Sequence, residues 1–299
     1  MSGYFLLKVF IIIILFGPNL RLDVTDNHIK LRSIESGISL DWPINSTIDI
    51  LGNSQLASYA STGDGSASNP YIIENLFIDN INSEKHGISI TNTDVFFILR
   101  NISLIGCKIG FVFSSVRNGI IEDSFVTTCE YGFSLVNSVS INLSRNTASK
   151  NWVGFEAVQL YNSSLTNNMA YNNLDNGFNL AYSVWNNITR NIASDNNASG
   201  YWLYESRSNI FHENIANNNS HGFYLDHSRY NTLINNTATN STYSDYFEDE
   251  YSRNENVLIN NLFPSYSKSK HTPSFLYISA LSLIPILPFL KRKRRKGMK

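Results

Sequence analysis

Charge is scarce in this chain. Of its 299 residues 16% are charged, and the formal net charge is −1. A nucleic-acid partner is held largely through its phosphates, which calls for a basic face. The one dense basic run here is the extreme C-terminus, so no nucleic acid is expected as a partner. Sulfur is scarcer still: two cysteines and three methionines make no soft-ligand cluster of the kind copper(I) prefers. Long apolar runs occur only at the two ends. The body lacks the 3.6-residue apolar period of helical repeats and the Leu/Asn consensus of a leucine-rich horseshoe, so both are excluded.

Asparagine is abundant instead, with 40 residues, beside 42% hydrophobic and 13% aromatic side chains. That is too apolar for a solvated tail. The chain must bury a core.

Both ends face a membrane. Lys8 precedes the apolar run Val9 to Phe16, which Gly17-Pro18 ends; residues 1–20 read as a signal peptide or signal anchor. Ser274 to Leu290 is an uncharged stretch of 17 residues followed by Lys291, Arg292, Lys293, Arg294, Arg295 and Lys296. The expectation is a C-terminal transmembrane helix over 274–290 and a cytoplasmic tail over 291–299, with the body extracellular.

Glycine followed by a large apolar residue recurs at Gly87, Gly110, Gly132, Gly154, Gly177, Gly200 and Gly222, at intervals of 22 or 23. Three residues after each glycine come Ile90, Phe113, Leu135, Ala157, Leu180, Leu203 and Leu225. Eleven after come Ile98, Ile121, Leu143, Leu165, Ile188, Phe211 and Leu233. Fourteen after come Asn101, Ser124, Asn146, Asn168, Asn191, Asn214 and Asn236, and two further on a mostly alanine column from Ser103 and Val126 to Ala148 and Ala238. Apolar residues two apart mark strands too short to bury themselves. Stacking solves this, because each strand then pairs with its equivalents in neighbouring coils at roughly 4.8 Å. The fold class is therefore all-β, a right-handed parallel β-helix of eight or more coils. Phe111, Phe133, Phe155, Phe178, Tyr201 and Phe223 should form one internal pile, and the Asn column a hydrogen-bonded ladder.

The expected organisation is a cap and first coil over 21–60, the regular β-helix over 61–262 and a polar linker over 263–273. Ser244 stands where the next glycine is due.

The Gly-Phe-x-Leu, Asn and Ala columns, with the lead-in Gly63 to Leu76, resemble the NosD-like family of carbohydrate-binding and sugar-hydrolase β-helices of archaeal surface proteins. The resemblance covers roughly 44–262. It implies the fold, and it brings in copper, with which the family's namesake is linked. His212, His221 and His227 are close in sequence but fall at three angular positions of the coil, so they should not converge. A copper-handling role ranks last.

Polysaccharide-cleaving β-helices carry acids on adjacent coils of one outer face. Asn92-Thr93-Asp94 matches one element of a polygalacturonase, but Arg117 is the equivalent of Asp94 one coil on and no paired aspartates follow, so it reads as a turn. No carboxylate cluster for a calcium-dependent lyase appears in the regular coils. The chain is not expected to be an enzyme, and no catalytic residue or cofactor is assigned.

One constellation remains. Residues two, four and five after each glycine should point outward. In the last coils they form three columns: Trp202, Tyr224 and Tyr246; Tyr204, Asp226 and Glu248; and Glu205, His227 and Asp249. Flat rings beside carboxylates suit sugars, although β-favouring surface residues give the same pattern. A glycan, or a partner protein, is the expected ligand, with a polysaccharide lyase or hydrolase and a structural envelope or adhesion rod as alternatives. Cys107 and Cys129, each three residues before a glycine, are equivalent positions on adjacent coils and form either a disulfide or two buried thiols. Of nine Asn-x-Ser/Thr sequons, Asn197, Asn218 and Asn240 lie near turns and are the better glycan acceptors. The oligomeric state is left open.

Overall fold

The glycine repeat is a coil repeat. In the computed structural model Phe155 pairs with Phe133 on one side and Phe178 on the other, in parallel strands. The structure describes residues 47–79 and 84–267, together with the strands Leu20–Thr25, His28–Ser33 and Ser39–Asp41, which form a small antiparallel sheet. The chain divides into two units, Met1–Ser269 and Lys270–Lys299, and every described residue belongs to the first. The expected signal segment 1–20, span 274–290 and basic tail 291–299 lie outside the described residues, save that the first strand begins at Leu20. Among the described residues no helix is long and apolar enough to cross a membrane.

A regular coil contributes three short strands, as in Val153–Val158, Ser164–Thr166 and Met169–Tyr171. The first kind stacks into a ten-stranded sheet. The other two run as two arms of one fifteen-stranded sheet, joined at the long strand Phe97–Ile105. Together they make a parallel β-solenoid. Alternate residues point inward, so Phe155 and Ala157 are buried on one side of the backbone while Glu156 faces the other way. The six aromatic rings from Phe111 to Phe223 form one pile, with centroids 5.1, 4.6, 4.7, 5.0 and 4.6 Å apart and planes within 14°.

Each coil turns at four corners. A corner begins with a residue at positive φ, between +45° and +59° through the regular coils, and the next side chain points inward. Asparagine tolerates this left-handed conformation better than most side chains. The inward residues stack as polar ladders. One runs from Asn146 through Asn168, Asn191, Asn214 and Asn236 to Asn261, each Nδ2 donating to the next Oδ1 at 3.0–3.1 Å. A second joins Asn173, Asn196 and Asn219, and a third Asn186, Asn209, Asn231 and Asn256. Ser183, Ser206, Ser228 and Ser252 make the fourth, each hydroxyl accepting from the backbone N–H one coil before. Only the first is among the columns read above from the repeat.

Three expectations shift by one residue. In the coil after Gly87 the interior position is Leu99, not Ile98, and the ladder and alanine positions are Ile102 and Leu104, not Asn101 and Ser103. Asn101 instead takes positive φ and donates to Asn75 Oδ1 at 2.6 Å. At the other end Ser244 pairs with His221, which places Asp245 opposite Gly222. The stack also continues past residue 262: Phe263 packs on Tyr246 at 5.2 Å, and Tyr266–Ser267 pairs with Tyr246 and Phe247. Asn92-Thr93-Asp94 is a structural corner, its Thr93 hydroxyl and Asp94 backbone N–H both donating to Asn53 Oδ1.

Candidate functional site

The outer face of the ten-stranded sheet carries a column in which Ser134, Glu156, Asn179, Trp202, Tyr224 and Phe247 are consecutive register partners. Beside it run Ala181, Tyr204 and Asp226. Along this column Val112, Ser134, Asn179 and Phe247 are buried while Glu156, Trp202 and Tyr224 are partly exposed, and Glu205 and His227 are exposed at the corner. Trp202, Tyr204, Glu205, Tyr224, Asp226 and His227 therefore share one outer patch.

Tyr246 and Glu248 do not join it. Tyr246 pairs with Phe223 inside the coil, fully buried, and Glu248 aligns with Leu225. The Tyr246 hydroxyl donates to Glu248 Oε2 at 3.0 Å within the core. The reason is the coil length: the last interval is 23 residues rather than 22, and one additional residue swaps the two faces of a strand. Phe247 takes the outward place expected of Tyr246, whereas Asp249, expected in the outer column with Glu205 and His227, does lie against His227.

Asp249 completes a small polar centre. His227 Nδ1 lies 2.7 Å from Asp226 Oδ1 and 3.1 Å from Asp249 Oδ2, and the imidazole stacks on Tyr251 at 4.4 Å. Burial raises the Asp226 carboxyl, and the neighbouring Asp249 adds to this against the bond from His227. The Tyr224 hydroxyl is raised by burial and by the two aspartates, and Tyr204 by burial with Tyr182 and Glu205. Ligand atoms of Asp226, His227 and Asp249 lie within 4.8 Å of one another. One imidazole and two carboxylates suit a hard or borderline cation and lack the sulfur that copper(I) prefers. His212 pairs with Glu213 and His221 packs on Tyr224, so the three histidines stay apart.

Two groups escaped the sequence reading. Partial burial pushes the Glu156 carboxyl up to about 7, while a 3.2 Å bond from the Ser134 hydroxyl works the other way. Asn179 is 3% exposed and its Oδ1 has no hydrogen-bond partner, nor has Trp202 Nε1 in the next coil. An uncompensated buried polar group costs free energy. The glycine register gave both their outward column; only the covering of the face, which no periodicity encodes, makes them unusual.

A family model described as "Periplasmic copper-binding protein (NosD)" matches residues 21–192 and 68–255, well over half of the chain. The chain belongs to the NosD family. That family is one of right-handed parallel β-helices, as the columns imply. Among the curated proteins no relative matches this NosD-family chain. Of solved structures, the periplasmic alginate epimerase AlgG is similar at 17% identity and a TM-score of 0.54, over 64% of this chain and 59% of the epimerase. The pectate lyase Pel9A is similar at 15% identity and a TM-score of 0.54, over 78% of this chain and 71% of the lyase. At such identities the likeness is one of fold. The chain spans somewhat over half of the epimerase. Copper is a property of the family description, and the donors that this member brings together do not fit a copper(I) site.

Proposed function

We propose that the chain binds glycan on the outer face of the ten-stranded sheet, between Asn179 and His227. One observation carries the reading: Trp202, Tyr204, Tyr224 and Asp226 lie side by side in adjacent register, each partly exposed, with exposed Glu205 and His227 at their edge. The Trp202 and Tyr224 rings can pack on a sugar's C–H faces while Asp226 accepts from its hydroxyls. Resemblance in fold to an alginate epimerase and a pectate lyase supports a carbohydrate-related role. In this reading the β-helix stands outside the cell, tethered by residues 274–290, and Asn197, Asn218 and Asn240, all exposed, carry glycans of their own. The test is a glycan array probed with the purified chain. Trp202→Ala with Tyr224→Ala abolishes the signal; retention of full binding rejects this face.

A second reading rests on Glu156. A carboxyl titrating near neutrality, in the same outward column, can hold a proton for delivery to a polysaccharide. Incubation with alginate and pectate tests it. New reducing ends or unsaturated products, lost in Glu156→Gln, establish an enzyme, and their absence leaves the binder.

A further inference from the structure

A different edge of the solenoid carries features that the sheet face does not explain. After the fourth ladder each coil makes a corner at which Arg117, Val139, Tyr161, Val184, Arg207 and Arg229 stack as successive bridge partners. The residue after each takes positive φ. Asn118, Ser140, Asn162 and Ser208 fill that column comfortably, but Trp185 at φ +59° and Tyr230 at φ +58° also stand there. Large side chains are poorly suited to that conformation. Nor does burial compensate, because Trp185 is 64% exposed and Tyr230 60%.

Trp185 walls a shallow groove of about 490 Å³ that crosses three coils, and Ser140, Asn142, Asn162, Ser164 and Asn187 line it with hydroxyls and amides. No charged side chain lines this groove. At its two ends stand exposed arginines, Arg117 one coil before and Arg207 and Arg229 after. Among the described residues none of the three forms an ion pair; Arg229 Nε donates to the Tyr251 carbonyl at 2.9 Å. Trp185 and Tyr230 are two coils apart, roughly 10 Å along the axis at the usual strand spacing.

We propose that this corner, from Arg117 to Tyr230, is a second binding strip, and that it takes an anionic polysaccharide laid along the solenoid axis. Aromatic rings two coils apart present flat faces to sugar rings. The groove's amides and hydroxyls, in Trp185's coil and the two before it, meet sugar hydroxyls. Unpaired guanidinium groups form bidentate bonds with carboxylates. The sheet face differs in sign, for its ionisable groups are mainly acids, so the two sites take different sugars and neither depends on the other.

The full chain is titrated calorimetrically with an oligomannuronate and with a neutral mannan oligomer of equal length, at low and high salt. The oligomannuronate binds more tightly, and salt weakens it, because exposed charges are screened. Arg207→Ala with Arg229→Ala weakens it by roughly tenfold or more. Trp185→Asn places a comfortable residue at the strained corner, so the variant melts no lower than the parent yet loses binding by roughly tenfold. Equal affinity for the neutral oligomer, or unchanged binding in both variants, overturns the strip. Loss of uronate binding in Trp202→Ala with the corner variants unaffected also overturns it and moves the polymer to the sheet face. Displacement of the uronate by single-stranded DNA of equal charge overturns the assignment to sugar.

Discussion

The Asn168 amide donates one bond to Asn191 Oδ1 at 3.0 Å and another to the Leu143 carbonyl at 2.9 Å, while its own Oδ1 accepts from the backbone N–H and the amide of Asn146 at 2.9 and 3.1 Å. Every polar atom of that buried side chain is used. A side chain with two donors and one acceptor oxygen of two lone pairs is the natural piece for such a column.

Removing one rung leaves orphans on both sides. Asn191→Ala strands the Asn168 amide and backbone N–H and the Leu165 carbonyl, all now bonded to Asn191. The expected loss is about 3 kcal/mol or more, from buried groups left unpaired. Urea denaturation of the variant checks it. Thr189→Ala, two residues earlier and bonded only to the exposed Asn187 side chain at 2.8 Å, should cost far less.

The glycine column is set by close approach and not by backbone angle. A Cβ on Gly154 would lie 2.5 Å from the Gly177 carbonyl oxygen and 3.1 Å from Ala170 Cβ. The first is backbone of the next coil and the second a core alanine of the same coil, so Gly154→Ala should destabilise by about 1–3 kcal/mol through overpacking. A thermal melt unchanged from the parent would show that the coils can separate locally at little cost.

Glu156 ties stability to pH. Its folded carboxyl, at about 7, lies above the ordinary glutamate value of 4.5. The folded state therefore holds the proton longer than the unfolded state. The contribution is complete below about pH 4.5 and is lost as pH rises to about 7, up to about 3 kcal/mol by linkage. Glu156→Gln should flatten that part of the profile and melt higher than the parent above pH 7. Melting curves across pH 4–8 that overlay for the two proteins would contradict it.

Cys107 and Cys129 lie buried as thiols on adjacent coils. Their sulfurs donate to the Ile105 and Thr127 carbonyls at 3.7 and 3.4 Å. The bond from Cys107 and burial raise the Cys129 thiol, so both should resist iodoacetamide until the chain unfolds. Mass spectrometry of unreduced peptides should find two thiols. A 107–129 bridge would overturn this and add a covalent clamp between coils.

Single residues show how far the sequence reaches. Phe155, Phe178 and Tyr201 could be placed in one pile from spacing alone, because a coil of nearly constant length brings equal positions over one another whatever surrounds them. Trp202, Tyr204, Tyr224 and Asp226 could be placed outward for the same reason, and they share one patch. Tyr246 and Glu248 could not: intervals of 22 and 23 both occur, and only hydrogen-bond register decides which one the last coil uses. Three of the four ladders were legible yet passed over: they keep constant register at six, nine and nineteen residues after each glycine, as in Ser183 and Ser206, Asn186 and Asn209, and Asn173 and Asn196, but serine and asparagine at such places read as ordinary turn residues.

The amino-acid sequence by itself determined the solenoid, its period and its interior stack, because these follow from side-chain periodicity summed over many like coils. Tertiary structure alone decided which outward side chains stay wet, that Asn179 and Trp202 keep unpartnered polar atoms, and that Tyr246 and Glu248 turn into the core. Those properties depend on distances and solvent access between segments that no local pattern records. A repeat averages its constraints over the whole chain, whereas a site rests on a few atoms whose surroundings occur once.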